Sequence, residues 1–168
     1  MRMNSGLTIG KIFEKAIKIE KTARRIYKRF AELFFGFPKI ASFWEEMSKD
    51  ELSHAKWLSE IRESLSEEQL LARPNHELIL KSENVLCLLN RNAAKKTHNL
   101  DEAYEVACKI ESSEMNYLFG LLTEKAISLG DKKDSLLLEI NDHHRKITNF
   151  PEKFGDKTAR KKIKVEEN

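Results

Sequence analysis

The segment from Trp44 to Leu58 constrains the fold more than any other part of the chain. Wound as a helix, it places Trp44, Met47, Glu51, His54, Ala55 and Leu58 on one stripe, because steps of three and four residues return to the same face. That stripe is the apolar one, so it should face a core, yet a carboxylate and an imidazole sit in its middle. An ionised group in an apolar seam is unfavourable unless it is paired or bound to a metal. Glu51 and His54 lie one turn apart, so both can reach one ion. Glu-x-x-His alone is a weak signal in a chain this rich in glutamate.

An internal repeat strengthens it. Phe13-Glu14-Lys15-Ala16-Ile17-Lys18-Ile19-Glu20 and Tyr104-Glu105-Val106-Ala107-Cys108-Lys109-Ile110-Glu111 share the pattern aromatic-Glu-x-Ala-x-Lys-Ile-Glu. Each copy ends in a glutamate that again falls on an apolar stripe. The first stripe runs Ala16, Glu20, Ala23, Tyr27, Phe30, Phe34; the second runs Ala103, Ala107, Glu111, Glu114, Leu118, Leu121. Three helices thus each carry carboxylate into an otherwise greasy seam.

The rest of the chain is punctuated for an all-α fold. Thr8 is placed to cap a first helix reaching about Phe35, and Gly36-Phe37-Pro38 stops it and starts a second over about 39–64. So short a connection makes an antiparallel hairpin. Ser66-Glu67-Glu68-Gln69 reads as a capping box and Arg73-Pro74-Asn75 as a turn. The stretch from there to Lys96 reads as a crossover carrying a shorter, broken helix. Asn99-x-x-Glu102 opens a third long helix over about 100–127, and Asp131 or Asp134 caps a fourth that ends at Pro151. Residues 1–150 then form one domain, and residues 151–168 a basic tail that reads as a solvated, frayed end.

Composition bounds the function. With 34% charged residues and only 6 Gly and 3 Pro in 168, the chain suits a helical protein with long solvated faces. A net charge of +3 with interspersed signs leaves no nucleic-acid footprint, so no such partner is expected. No apolar run is long enough for a membrane span. No signal-type segment follows Met1, so the default location is cytoplasmic. Cys87 and Cys108 have neither CxxC nor zinc spacing and read as buried core thiols.

Glu20 with Tyr27, Trp44-x-x-Met47-x-x-Asp50-Glu51-x-x-His54-Ala55, and Glu111-x-x-Glu114 together resemble the ferritin-like superfamily, most closely its rubrerythrin-like branch, over about residues 8–150. The resemblance implies a four-helix bundle of two hairpins joined by a crossover. It also implies a pair of iron ions bridged by carboxylates, with manganese or zinc as alternatives. Hydrogen peroxide or dioxygen would be the substrate, an external electron donor would complete the cycle, and a homodimer is compatible with it. Carried over by position, Glu20 and Glu111 are single-helix ligands, Glu51 the bridging carboxylate, His54 the imidazole ligand and Glu114 an additional helix-three ligand. Glu20, Glu51 and Glu111 would also be the catalytic carboxylates. Tyr27 matches an aromatic that hydrogen-bonds near the site, although packing alone accounts for Tyr27 and Trp44.

The fourth helix departs from the pattern, because it contains no Glu-x-x-His. Its stripe Leu137-Ile140-Ile147 has a gap that His144 fills, which makes His144 the expected ligand and leaves His143 exposed. Glu139 and His143 could turn inward only if that helix were rotated. A single metal, an asymmetric pair and a symmetric di-iron centre all remain open on this reading. So does a redox-inactive bundle serving as a metal-sensing or protein-interaction module. No rubredoxin-like CxxC module accompanies the bundle, which is why the electron donor is expected to be external.

Overall fold

The computed structural model describes residues 6–122, 124 and 132–165. Helix α1 (Ile9–Leu33) is capped by Thr8, whose hydroxyl accepts from Lys11 N. Its buried residues follow the expected stripe, from Ile9 and Phe13 through Glu20 to Tyr27 and Phe30. Pro38 occupies the first turn of α2 (Pro38–Ser64), where its missing N–H leaves no helical bond unmade. α1 and α2 pack along their length as the first hairpin. Burying an aromatic side chain such as Phe30 in that seam contributes about 1.5–3 kcal/mol.

The Ser66–Gln69 capping box closes both of its hydrogen bonds and opens the short α3 (Glu67–Leu71). Asn75 caps α4 (His76–Ala94), which is shorter than α1 and α2, as expected, but runs as one helix without a break. Its length has a physical reason. Leu78, Ser82, Val85 and Leu89 form a continuous buried stripe, and α4 packs on α1 and α5 together. The single hydroxyl in that stripe, Ser82, donates to the Ile79 carbonyl.

Asn99 accepts from Glu102 N at the start of α5 (Leu100–Leu122). With α6 (Lys132–Thr148), α5 makes the second hairpin. The far end of the expected third helix and the candidate cap Asp131 lie outside the described residues. Helices α1, α2, α5 and α6 form the ferritin-like bundle, with α3 and α4 as its crossover. Among the described residues, no helix is long and apolar enough to cross a membrane.

Two expectations are corrected. The segment after Phe150 does not fray: α7 (Phe150–Phe154) and α8 (Lys157–Lys162) fold back on the bundle. Phe150 and Phe154 join Phe43 in an aromatic cluster, and Leu100 N and Val165 N bond to the Ile163 and His98 carbonyls. Arg160, 6% exposed, forms a two-point ion pair with buried Asp101. Two guanidinium nitrogens converge on one oxygen of Asp101, and this buried pair together with apolar burial holds the basic segment against the bundle. Cys87 is exposed, on the solvent side of α4, and Cys108 is half-buried, so neither is a fully buried core thiol.

Candidate metal centre

Each of the four bundle helices delivers a polar side chain to one buried point. On α1, Glu20 sits between Ala16 and Ala23, whose small side chains leave room beside it; it is 0% exposed. On α2, Glu51 and His54 stand one turn apart on the buried face. On α5, Glu111 and Glu114 share a face by the same spacing, and α6 contributes His143.

The distances divide this cluster in two. His54 Nδ1 lies 3.2 Å from Glu51 Oε2 and 3.3 Å from Glu20 Oε2. His143 Nε2 lies 2.9 Å from Glu51 Oε1 and 3.0 Å from Glu111 Oε1. The two oxygens of Glu51 therefore face opposite halves. Glu20, Glu51 and His54 form one triad and Glu51, Glu111 and His143 another, each with ligand atoms within 4.8 Å of one another. The imidazole rings meet edge to face, 4.9 Å between centroids. The Tyr27 hydroxyl donates to Glu111 Oε1, a short contact in the fully buried wall of the site.

Burial and crowding set the protonation. Desolvation, then the charge of Glu51, pushes Glu20 up to about 8. Burial, then the charges of Glu51, Glu20 and Glu111, pushes Glu114 well above the usual carboxylate range. Burial works against the charged form of His54, yet hydrogen bonds and charge from Glu20 and Glu51 outweigh it and raise it to about 10. For His143, burial is likewise overcome, by Glu51 and Glu111 and by the bond to Asp50. Burial also opposes ionisation of Glu51, but His143 and its hydrogen bonds hold it below the usual range.

Protons alone do not satisfy the cluster. Glu20 Oε1 and Glu114 Oε1 are buried without a hydrogen-bond partner. Such orphans are rare in folded proteins and call for a missing partner. Four carboxylates and two neutral imidazoles carry four negative charges, which two divalent cations cancel. The donor set, all carboxylate oxygen and imidazole nitrogen, suits iron, manganese or zinc. The residues therefore fit a pair of such ions.

Of the sequence-derived candidates, Glu20, Glu51, His54 and Glu111 converge on this point, and Glu114 is buried beside them. His144 does not join them. His143 takes that place, and α6 is turned by one residue, about 100°, from the expected phase. The buried stripe of α6 is Leu136, Ile140, His143 and Ile147. It shares Ile140 and Ile147 with the expected one, so periodicity could not separate the two. Glu139 is exposed. Asp50 received no role from the sequence, yet its Oδ2 lies 3.2 Å from His143 Nδ1 and also accepts from Lys146 at 2.5 Å. The available signal was an acidic residue directly before Glu51, across from a His-x-x-Lys on the last bundle helix.

Comparison with known proteins agrees with this geometry. The Rubrerythrin family model matches residues 11–127. The chain belongs to the rubrerythrin family. The match runs through the α1, α2 and α5 ligands; His143 and the docked tail lie beyond it. A Thermotoga maritima crystal structure, assigned as a ferritin-like diiron-carboxylate protein, superposes with a TM-score of 0.62 at 16% identity. The superposition covers 89% of this chain and 98% of that one, and it shows a shared fold. No curated protein matches the sequence.

Proposed function

We propose that this rubrerythrin-family protein holds a pair of iron ions and reduces hydrogen peroxide with them. The observation that carries the reading is Glu51, whose two oxygens serve two triads at once, as a bridging carboxylate must. Glu20 and His54 would hold one ion, Glu111 and His143 the other, with Glu114 completing the set. Bound ferrous iron would supply the electrons that take peroxide to water.

The chain's own residues select the substrate. A cavity of about 10 Å³ adjoins the cluster, lined by His54, Glu111, Glu114, Leu118, Ile140, His143 and His144. With room for about one water-sized molecule, it is far too small for an organic substrate. Peroxide both donates and accepts hydrogen bonds, whereas dioxygen donates none. His144 Nδ1 and Glu114 Oε1, both buried and unpartnered, belong to residues of that lining and favour the hydrogen-bonding guest. Leu118 and Ile140 exclude bulk water. Asp50 accepts from Nδ1 of His143 and so leaves Nε2 free to ligate.

The test is anaerobic loading with ferrous iron, elemental counting, then mixing with peroxide or with dioxygen. One ion per triad and oxidation faster by peroxide are expected. Faster oxidation by dioxygen would turn the reading to ferrous-iron oxidation. Absence of metal under every loading condition would leave the interaction-module reading.

A further inference from the structure

One line of aromatic rings, oxidisable at every place but Phe150, leads from the cluster to the surface. Tyr27, hydrogen-bonded to Glu111, stacks on Trp44 with ring centroids 5.8 Å apart and planes 16° apart. Trp44 lies 5.3 Å from Phe150, and Phe150 stacks on Tyr104 at 4.9 Å and 12°. Tyr27, Trp44 and Phe150 are fully buried, while Tyr104 is half-buried and reaches the surface beside α8. The other rings touching this line, Phe30, Phe43 and Phe154, are phenylalanines, which are not oxidised under biological conditions. Tyr117 is buried elsewhere, bound to the Ile12 carbonyl. Plain packing does not require tyrosine at both ends and tryptophan between.

We infer that Tyr27, Trp44, Phe150 and Tyr104 form an electron route that refills the buried centre from a one-electron reductant at the Tyr104 surface. This rests on the peroxide-reduction reading, because the oxidant that draws electrons inward is peroxide at that centre. In each transfer Tyr27 would give one electron toward the buried site where peroxide is reduced, its phenolic proton shifting to Glu111 along the existing hydrogen bond. Trp44 then gives one electron to Tyr27, and the proton returns. The Trp44 indole N–H is buried without an acceptor, so its radical cation keeps its proton and is passed on rather than trapped. Tyr104 refills Trp44 across Phe150, releasing its proton to water. It regains both when the reductant, a reduced one-electron carrier, donates at the surface. Two such transfers balance one peroxide reduced to two waters, the remaining protons coming from solvent.

Phe150 is held in line by the docked tail. Arg160 lies over the Tyr104 ring at 4.5 Å and anchors α8 through Asp101, so the route depends on the C-terminal segment.

The test needs no metal. The chain has two tryptophans and three tyrosines, and only Trp57 and Tyr104 among them are partly exposed. In a Tyr27→Phe, Trp57→Phe, Cys87→Ser background, an ultraviolet flash that photo-ionises Trp44 should leave a tryptophanyl radical cation. Tyr104 should refill it, so that a tyrosyl radical signal rises as the tryptophanyl signal decays. Tyr104→Phe should remove that tyrosyl signal, and Phe150→Leu should slow it by about an order of magnitude, that is, by over a kilocalorie in the barrier. Circular dichroism and the melting temperature show which variants remain folded, and a folded variant in either position decides the matter. A signal arising at an unchanged rate in both variants, or none in the background protein, overturns the route. In iron-loaded protein, peroxide without reductant should leave spin-trap adducts on Tyr104 that Trp44→Phe removes. A working route in the metal-free protein with no peroxide reaction after loading would sink the functional reading alone.

Discussion

A single residue of helical phase separates His143 from His144, and the difference is chemical. His143 has carboxylates on both ring nitrogens: Asp50 at Nδ1, Glu51 and Glu111 at Nε2. His144 Nδ1 has no partner. His143→Ala is therefore expected to remove the ion held with Glu111, whereas His144→Ala leaves metal content unchanged and slows peroxide entry or reaction. Metal counts on the two variants, side by side, decide this; equal losses would mean that both imidazoles ligate. Asp50→Asn should keep the fold and weaken metal affinity by about 10–100-fold, the usual effect of removing a carboxylate behind a ligating histidine. Isothermal titration with manganese reads that change without any redox step.

Among the elements, α8 shows how a sequence that looks solvated becomes structural. Of its basic residues, Arg160 is buried on Asp101, and Lys157 bridges outward to Glu105. Removing one member of a buried pair strands the other, so Arg160→Ala should destabilise the protein by about 3–5 kcal/mol. The Arg145–Asp142 pair, 69% and 66% exposed, is its control, and Arg145→Ala should cost about 0–1 kcal/mol. Urea unfolding of both variants tests the contrast. Equal small losses would show that the tail contributes nothing to the fold. Limited proteolysis should release the tail only from the Arg160 variant.

For the whole molecule, the buried cluster couples folding, protons and metal. Glu20 is raised from its ordinary 4.5 to about 8, so the folded chain binds an extra proton between those values and loses stability as pH rises through them. His54, raised from 6.5 to about 10, stabilises fully below 6.5 and loses that contribution as pH rises to 10; His143 acts in the same direction. Glu51, held low, works the opposite way, and its contribution is lost as pH falls below the ordinary carboxylate range. The metal-free protein should thus melt highest near about pH 5–6 and progressively lower toward pH 9. Metal ligation needs the same groups deprotonated, so the gain in melting temperature on loading should widen with rising pH. At neutral pH, Glu20, Glu114, His54 and His143 all hold protons, and loading should release about four per chain, measurable with a pH indicator. A melting temperature of the metal-free form that rises from pH 6 to 9 would contradict this protonation scheme.

Residues on their own stripes determined much of this protein. Glu20, Glu51, His54 and Glu111 were legible because burying a carboxylate or imidazole in an apolar face has few physical excuses, and periodicity alone reveals which face that is. The hairpin of α1 and α2 was legible because Gly36-Phe37-Pro38 leaves no room for anything longer. What periodicity cannot determine is the rotation of a helix whose stripe can be read in two phases, and in α6 both phases contain Ile140 and Ile147. Only contact with Asp50, Glu51 and Glu111 from two other helices turned His143 inward. The tail was decided in the same way. Arg160 is one basic residue among several until folding brings Asp101 to it, and Phe150 an ordinary helix end until Trp44 and Tyr104 close around it. Local pattern dictates which face of a helix is buried, but a pair of groups distant in the chain acquires its energy only when the tertiary structure removes the water between them.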